Sequence, residues 1–310
     1  AKQFHEIERS GGTSFSPDET KILLTSDRSG RFNVYAQPID GGEAVQLTHS
    51  NDRDFVGLTY FPNDERFLFT ADNHGDELQH LYVGEAGKEP IDLTPGEGLV
   101  ANFGDWSADK SKFWISTNER DPKSFDLYVV DVKTLERKML YKNEGGELPA
   151  AVDPTLRWIA VNKVVDNADS NVYLLDTKAK KPKKILVTKH EGKAQHSAMD
   201  FSRDGKTLYY STDAHSEWQE VWAYDIKKKK HSEAVKADWD VIAMAFSENE
   251  KYRMVITNAD ARGVVELIET ESGNPLEIAD APSGEVGGGN FSPSETKFAF
   301  YVSTKRRPSD

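Results

Sequence analysis

Phe15-Ser16-Pro17-Asp18-Glu19-Thr20-Lys21 stands before the apolar run Ile22-Leu23-Leu24, and Phe291-Ser292-Pro293-Ser294-Glu295-Thr296-Lys297 stands before Phe298-Ala299-Phe300. A turn sequence that returns between apolar runs marks off a structural repeat. Aligned on the residue that begins each turn, the marks are Phe15, Phe61, Trp106, Val152, Phe201, Phe246 and Phe291, spaced 46, 45, 46, 49, 45 and 45 residues apart. That period is the period of four-stranded propeller blades. Helical periodicity is missing, and each unit holds four short apolar runs separated by turn residues.

In the first unit the runs lie around Thr13 to Phe15, Ile22 to Thr25, Asn33 to Ile39 and Ala44 to Leu47, with Asp40-Gly41-Gly42 as a tight turn between the last two. The third run has a recurring pattern, clearest in Asp126-Leu127-Tyr128-Val129-Val130-Asp131 and kept in Asn171 to Asp176 and Glu220 to Asp225. Alternation along a strand sends every second side chain toward a neighbouring sheet, so Phe67, Trp114, Trp158, Tyr173 and Trp222 are expected to fill the space between blades. The first run of each unit is instead rich in small residues, as in Gly11-Gly12, Gly57, Gly104, Ala150-Ala151, Ala198, Ala243 and Gly287 to Gly289. Crowding of innermost strands favours small side chains.

The fold expected is all-β, a propeller of four-stranded antiparallel blades in one domain over residues 1–310. The last unit stops after Phe298 to Val302 and Lys305-Arg306-Arg307-Pro308-Ser309-Asp310. It reads as a seventh blade left incomplete, with Gln3 to Glu8 able to supply one more strand; a six-bladed ring with an extra hairpin is the alternative.

Composition narrows the function. Lys+Arg 39 against Asp+Glu 52 gives a formal net charge of -13, which repels nucleic acid and anionic lipid, and no basic patch interleaves with aromatics. Cysteine is absent, which excludes disulfides, thiol catalysis and thiolate metal sites. That absence suits cytoplasm and periplasm alike, so the compartment stays open, with the cytoplasm slightly favoured. No apolar stretch approaches the roughly 20 residues needed to span a bilayer. The histidines show no metal spacing, and Asp72-Asn73-His74-Gly75-Asp76-Glu77 lacks the distal Glu of a calcium loop, so no metal or other cofactor is expected. Gly287 to Gly289 precedes a strand and so offers no phosphate cradle.

Charge is unevenly placed. Lysine runs at Lys178 to Lys184 and Lys227 to Lys230 fall in turns between third and fourth strands. Acidic residues, among them Glu119, Asp121, Asp213, Glu217, Asp238 and Asp240, fall in the loops of the opposite edge. Solvated turns account for such a bias; a cavity attracting the free amino end of a peptide is the functional reading. The loop Asn118-Glu119-Arg120-Asp121 carries both charge signs, so Arg120 either pairs with Glu119 or Asp121 or holds a substrate carboxylate. Trp239 is either a cavity platform or a half-buried anchor. His215 and Glu217 complete the candidate substrate-binding set of Asn118, Glu119, Arg120, Asp121, His215, Glu217 and Trp239. Twelve residues beyond the marks stand Asp27, Asn73, Asn118, Val164, Asp213, Asn258 and Ser303, a recurrence explained by side chains that bind their own backbone at turns.

The turns Phe15 to Asp18 and Phe201-Ser202-Arg203-Asp204-Gly205, the third-run pattern with its closing Asp, and the Leu-Thr ends at Leu47-Thr48 and Leu93-Thr94 resemble the propeller repeats of prolyl-oligopeptidase-family serine peptidases. The likeness covers nearly all of the chain. Its most specific part, Ser116 to Tyr128, resembles the acylaminoacyl-peptidase and dipeptidyl-peptidase-like bacterial branch, and Phe300-Tyr301-Val302-Ser303 with Pro308-Ser309-Asp310 is similar to that branch's last blade. The resemblance implies a partner, a C-terminal α/β-hydrolase domain bearing Ser, Asp and His, with the propeller gating access and sorting short peptides. No Gly-x-Ser-x-Gly elbow occurs; Gly12-Thr13-Ser14-Phe15-Ser16 lacks the final Gly. No catalytic residue is therefore expected in this chain, and it should be inactive alone. The other function class is a free-standing periplasmic propeller that recruits protein partners.

Overall fold

The recurrent turn is built the same way in the first, third and fifth units. Ser16 Oγ donates to Asp18 Oδ1 at 2.6 Å and accepts from Lys21 N at 3.0 Å, while Glu19 takes a left-handed φ of 57°. The same device recurs with Ser107, Asp109 and Lys110, and with Ser202, Asp204 and Gly205. These hydrogen bonds hold the Asp18 and Asp109 carboxyls down at about 2, with the serine hydroxyl the leading cause. Local chemistry alone thus reverses the chain every repeat. In the fourth unit Asp153 takes over the serine's place, its carboxylate accepting from Arg157 N and Trp158 N.

The computed structural model describes residues 8–73, 75–180, 183–278 and 285–303. They contain no helix. Strands run antiparallel in chain order within each sheet: six sheets have four strands, and the seventh, Glu285–Phe291 with Phe298–Ser303, has two. The fold is a β-propeller of four-stranded antiparallel blades. Six such blades, not seven, are complete among the described residues, so the expectation of seven is not met beyond six blades and a hairpin. Gln3 to Ile7, His74, Lys181-Pro182 and residues 304–310, on which several expectations fall, lie outside the described residues.

Two compact units divide the chain, one of residues 1–102 with 278–310 and one of residues 103–277. The first holds the first, second and seventh sheets. Leu23, Val34, Phe55, Tyr60, Phe67, Phe69 and Tyr82 pack as its core, with the Phe69 and Tyr82 rings stacked at 5.1 Å. The seventh sheet is tied to the first through Asn290 Nδ2, which donates to Thr13 Oγ1 at 2.7 Å, and through Lys297 Nζ, 2.9 Å from Glu19 Oε2. A two-stranded sheet is marginal alone, and these ties anchor it.

The second unit holds the third to sixth sheets, with the first residues of the inner strand Ala101–Trp106 falling across the division. Its cores lie between neighbouring sheets. One joins Ala151, Ala160, Val172 and Leu174 to Phe201, Leu208 and Tyr210, with Trp158 and Trp222 packed against it. Trp114 and Tyr173 pack against another around Leu127, Val152 and Ile159. The aromatics read as packing from alternation therefore pack. Trp114 also explains Gly104, since a Cβ there would come within 2.1 Å of the indole.

Two devices finish the blades. Thr48, Thr94 and Thr188, at the ends of outer strands, accept from Val34 N, Leu81 N and Val172 N at 2.9, 3.3 and 2.9 Å. The threonine that ends the outer strand thus satisfies a backbone amide of the third strand. A register shift also breaks the inner strand near the same place in sheet after sheet, as between Gly57 and Thr59, Pro149 and Ala151, and Ala198 and Asp200. Such bulges bend and twist an inner strand.

Candidate functional site

The seven residues singled out by sequence fall into two groups, both in the second unit. Asn118 to Asp121 end the long strand Lys112–Asp121 of the third sheet, which turns tightly into Ser124–Asp131. Arg120 pairs with neither Glu119 nor Asp121 but with Asp126. Its Nε lies 2.5 Å from Asp126 Oδ2 and one terminal nitrogen 2.9 Å from Asp126 Oδ1, that nitrogen also donating to Asn143 O at 2.7 Å. Asp126 is fully buried and accepts in addition from Asn143 N at 2.8 Å. A planar fork on a buried carboxylate is a structural tie between strand, neighbouring strand and following loop.

The rest of that loop is similarly engaged. Glu119 is paired with Arg137 at 2.6 Å, and Asp121 Oδ1 accepts from Lys123 N at 3.0 Å to shape the turn. Burial, helped by neighbouring Glu119, pushes the Tyr128 hydroxyl up to about 12. Asn118 is buried. The cluster is close to charge-balanced and internally satisfied.

His215, Glu217 and Trp239 lie instead on the loops of the fifth and sixth sheets. His215 lies over Trp222 with ring centroids 4.0 Å apart, and Trp239 meets Trp218 at 5.1 Å. Trp239 is 39% exposed, and Glu217 is exposed. Beneath them Glu220, 1% exposed, accepts from Trp222 Nε1 at 3.0 Å and faces Lys236 Nζ at 3.2 Å. Burial opposes its charge, but hydrogen bonds from Trp222 and Ser216 and the Lys236 ammonium hold its carboxyl below the usual range. Trp218, Glu220 and Lys236 were not among the sequence candidates. The spacing Trp218-x-Glu220-x-Trp222 was the available signal, because residues two apart entering a strand share a face.

Backbone ties fix these loops. Asp213 Oδ1 accepts from Gln195 N at 2.7 Å and Asp240 Oδ1 from Gln219 N at 2.9 Å. In the first sheet Asp27 Oδ1 likewise accepts from Arg9 N at 2.8 Å. Asp27 and Asp213, each twelve residues past its mark, therefore grip the chain entering the inner strand, where the sequence suggested their own backbone. Four of the eight histidines also gather here. His190 Nε2 is 3.0 Å from Asp169 Oδ1 and its Nδ1 is 3.2 Å from His196 Nε2, while His231 Nδ1 is 2.9 Å from the Tyr210 hydroxyl. Burial, with His190 adjacent, pushes His196 down to about 4 and keeps it neutral. Among the described residues no group of three or more His, Cys, Asp or Glu has metal-holding geometry.

Residues 46–163 match the family described as the dipeptidyl peptidase IV (DPP IV) N-terminal region. Dipeptidyl aminopeptidase BIII of Pseudoxanthomonas mexicana is 25% identical over 223 residues, which are 70% of this chain and 32% of that protein. The chain is thus similar to the N-terminal region of dipeptidyl peptidases. Prolyl oligopeptidase B from Galerina marginata shares the fold with a TM-score of 0.70 and 12% identity, over 98% of this chain and 48% of that one. So does an oligogalacturonate lyase from Vibrio parahaemolyticus, with a TM-score of 0.67 and 16% identity over 96% and 87%. The chain spans about a third of the curated relative and about half of the prolyl oligopeptidase.

Proposed function

We propose that this chain is the non-catalytic propeller half of a serine peptidase, working with a C-terminal α/β-hydrolase domain, gating access to it and helping hold short peptides. In this reading residues 1–310 form a single propeller domain, and Glu285–Phe291 with Phe298–Ser303 are the inner half of a seventh blade. The observations that carry the binding role are exposed Trp239 set against Trp218 and exposed His215 set over Trp222, with exposed Glu217 next to Trp218 in the chain. Rigid indoles supply contact area at low entropic cost, and a carboxylate beside them draws the amino end of a peptide. Glu119 is already offset by Arg137, so Glu217 rather than Glu119 supplies that attraction.

The test uses the complete enzyme. Glu217→Gln should raise KM for peptides with a free amino end by roughly fivefold, an exposed charge being worth ~1 kcal/mol, and leave N-acylated peptides unchanged. Glu119→Gln should do neither. Equal effects of Glu217→Gln on both peptide classes would defeat the assignment. The second reading, a free-standing partner-binding propeller, draws support from the lyase, 87% of whose chain this one spans. Peptide hydrolysis by the full-length protein, blocked by a serine-directed reagent, decides for the first.

A further inference from the structure

The joint between the fourth and fifth sheets is closed by two neighbouring sets of side chains. Ser170, in the third strand Asp169–Asp176 of the fourth sheet, accepts at its hydroxyl from His196 N and donates to His196 O, both at 2.7 Å, and its own N donates to Ala194 O at 3.0 Å. His196 opens the fifth sheet's inner strand, His196–Phe201, and is 5% exposed. Its ring meets that of His190, which follows the fourth sheet's outer strand, with centroids 4.6 Å apart. Two histidines thus face each other at the seam that the serine closes.

Hydrogen-bond partners fix where the protons sit. Thr188 O can only accept, so His190 Nδ1, 2.8 Å away, carries a proton. Asp169 Oδ1 stands 3.0 Å from His190 Nε2 and, as a carboxylate, asks the same of that nitrogen. His190 is then the cation of an ion pair with Asp169. His196 Nε2 lies 3.2 Å from the protonated His190 Nδ1, so it is bare and accepts, and the one proton of a neutral His196 sits on Nδ1. That Nδ1 is buried and has no hydrogen-bond partner among the described residues. The pair therefore holds three protons on four nitrogens. A fourth could go only to His196 Nε2, where it would set N–H against N–H and cation against cation. Burial first and His190 second resist that proton; Asp169, Asp213 and His215 are the other charged groups acting on His196, and the Tyr210 ring, its hydroxyl bonded to His231, lies 6.1 Å from it.

We propose that the His190–His196 pair is an acid-operated latch on this joint, shut while His196 Nε2 is bare and opened when acidification forces the fourth proton on. Opening parts His196 from Ser170 and frees the start of the fifth sheet's inner strand. The adjoining Gln195 N is held by Asp213, two residues before His215, so the freed segment leads directly to the loop that carries His215. In the shut joint His196 is pushed down to about 4 against an ordinary 6.5, so the shut form binds fewer protons than the open one and loses ground as pH falls from about 6.5 to 4. The latch acts on whatever that loop binds, and it is independent of the peptidase reading because every residue in it belongs to this chain.

Amide hydrogen exchange of the full-length protein, read by mass spectrometry and corrected for the intrinsic effect of pH, follows the joint directly. Between pH 7 and pH 4.5 the segments containing Ser170 and His196 should lose protection by roughly fiftyfold, the ratio expected if His196 returns to its ordinary value once the joint is open. His196→Gln keeps an acceptor for His190 Nδ1 but has no nitrogen to titrate, so its loss over the same range should stay within about twofold. The strand Tyr252–Ala259 of the sixth sheet serves as the reference and should exchange alike in both proteins. Undiminished protection of the joint at pH 4.5, or an equal loss in His196→Gln, would overturn the proposal. If His196→Gln does not fold, as judged by its melting curve, nitrogen NMR of the histidine-labelled unsubstituted protein decides. A proton on Nδ1 of His196 and a bare Nε2 at pH 7 support the latch, and a proton on Nε2 at that pH overturns it.

Discussion

Asp126 and Asp200 are the same residue type in the same unit, and their surroundings make opposites of them. Asp126 is fully buried yet accepts from both the Arg120 fork and Asn143 N. Asp200 is less buried but meets only one backbone N–H and another acid. What separates a structural carboxylate from a poised one is the number of donors brought to it, not its depth.

Breaking the satisfied site should have the largest effect. Asp126→Ala leaves the exposed Arg120 without its partner and the buried Asn143 N without its acceptor. A buried donor left unsatisfied costs about 1–3 kcal/mol, readable as a fall in the urea midpoint at unchanged slope. A loss below ~1 kcal/mol would mean that the pair is solvent-screened and the contrast with Asp200 false.

Relieving the unsatisfied site should do the reverse. Asp200 is held at about 7 when folded, against an ordinary value of 3.8, with desolvation the leading cause. Between those values the unfolded chain has released a proton that the folded chain keeps, so stability falls as pH rises from about 4 to 7 and stays low above. Asp200→Asn should therefore raise Tm at pH 8 by about 2–4 °C, with the gain vanishing near pH 4. A gain of the same size at both pH values would show packing, not ionisation, to be its cause.

The smallest stability effects belong to residues whose side chains face water. Trp239→Ala should change the unfolding free energy by no more than ~0.5 kcal/mol while weakening peptide binding in the complete enzyme. Ser16→Ala, which removes one turn hydroxyl bonded to both Asp18 and Lys21 N, should cost about 1 kcal/mol and stand between these extremes.

The same contrast explains how far the sequence could be read. The period was legible because a serine, an aspartate two residues on and a left-handed residue after it write their turn within six residues. Phe67, Trp114 and Trp222 were legible because strand alternation is local too. Seven blades were expected from seven marks, but a mark certifies only an inner hairpin, and the seventh sheet among the described residues is no more than that. Arg120 was noticed for its mixed-sign neighbours, yet its partner lies across a hairpin, beyond any adjacency in sequence. Trp218 went unnoticed beside Trp239 because the two meet only when neighbouring sheets set their loops together. Asp105 and Asp200 drew no attention at all, since what makes them unusual is a desolvation that exists only after folding.

The left-handed residue of the repeated turn has one more consequence. Glycine would relieve backbone strain of about 1 kcal/mol there, and the fifth unit's Gly205 takes that course. Glu19, Lys110 and Glu250 occupy the same strained position, and each reaches another sheet: Glu19 to Lys297, Lys110 to Glu248, Glu250 to Arg203 N. A programme of stabilisation that replaced strained residues with glycine turn by turn would improve every hairpin taken singly. It would also erase the long-range wiring, trading cooperativity between sheets for comfort within them.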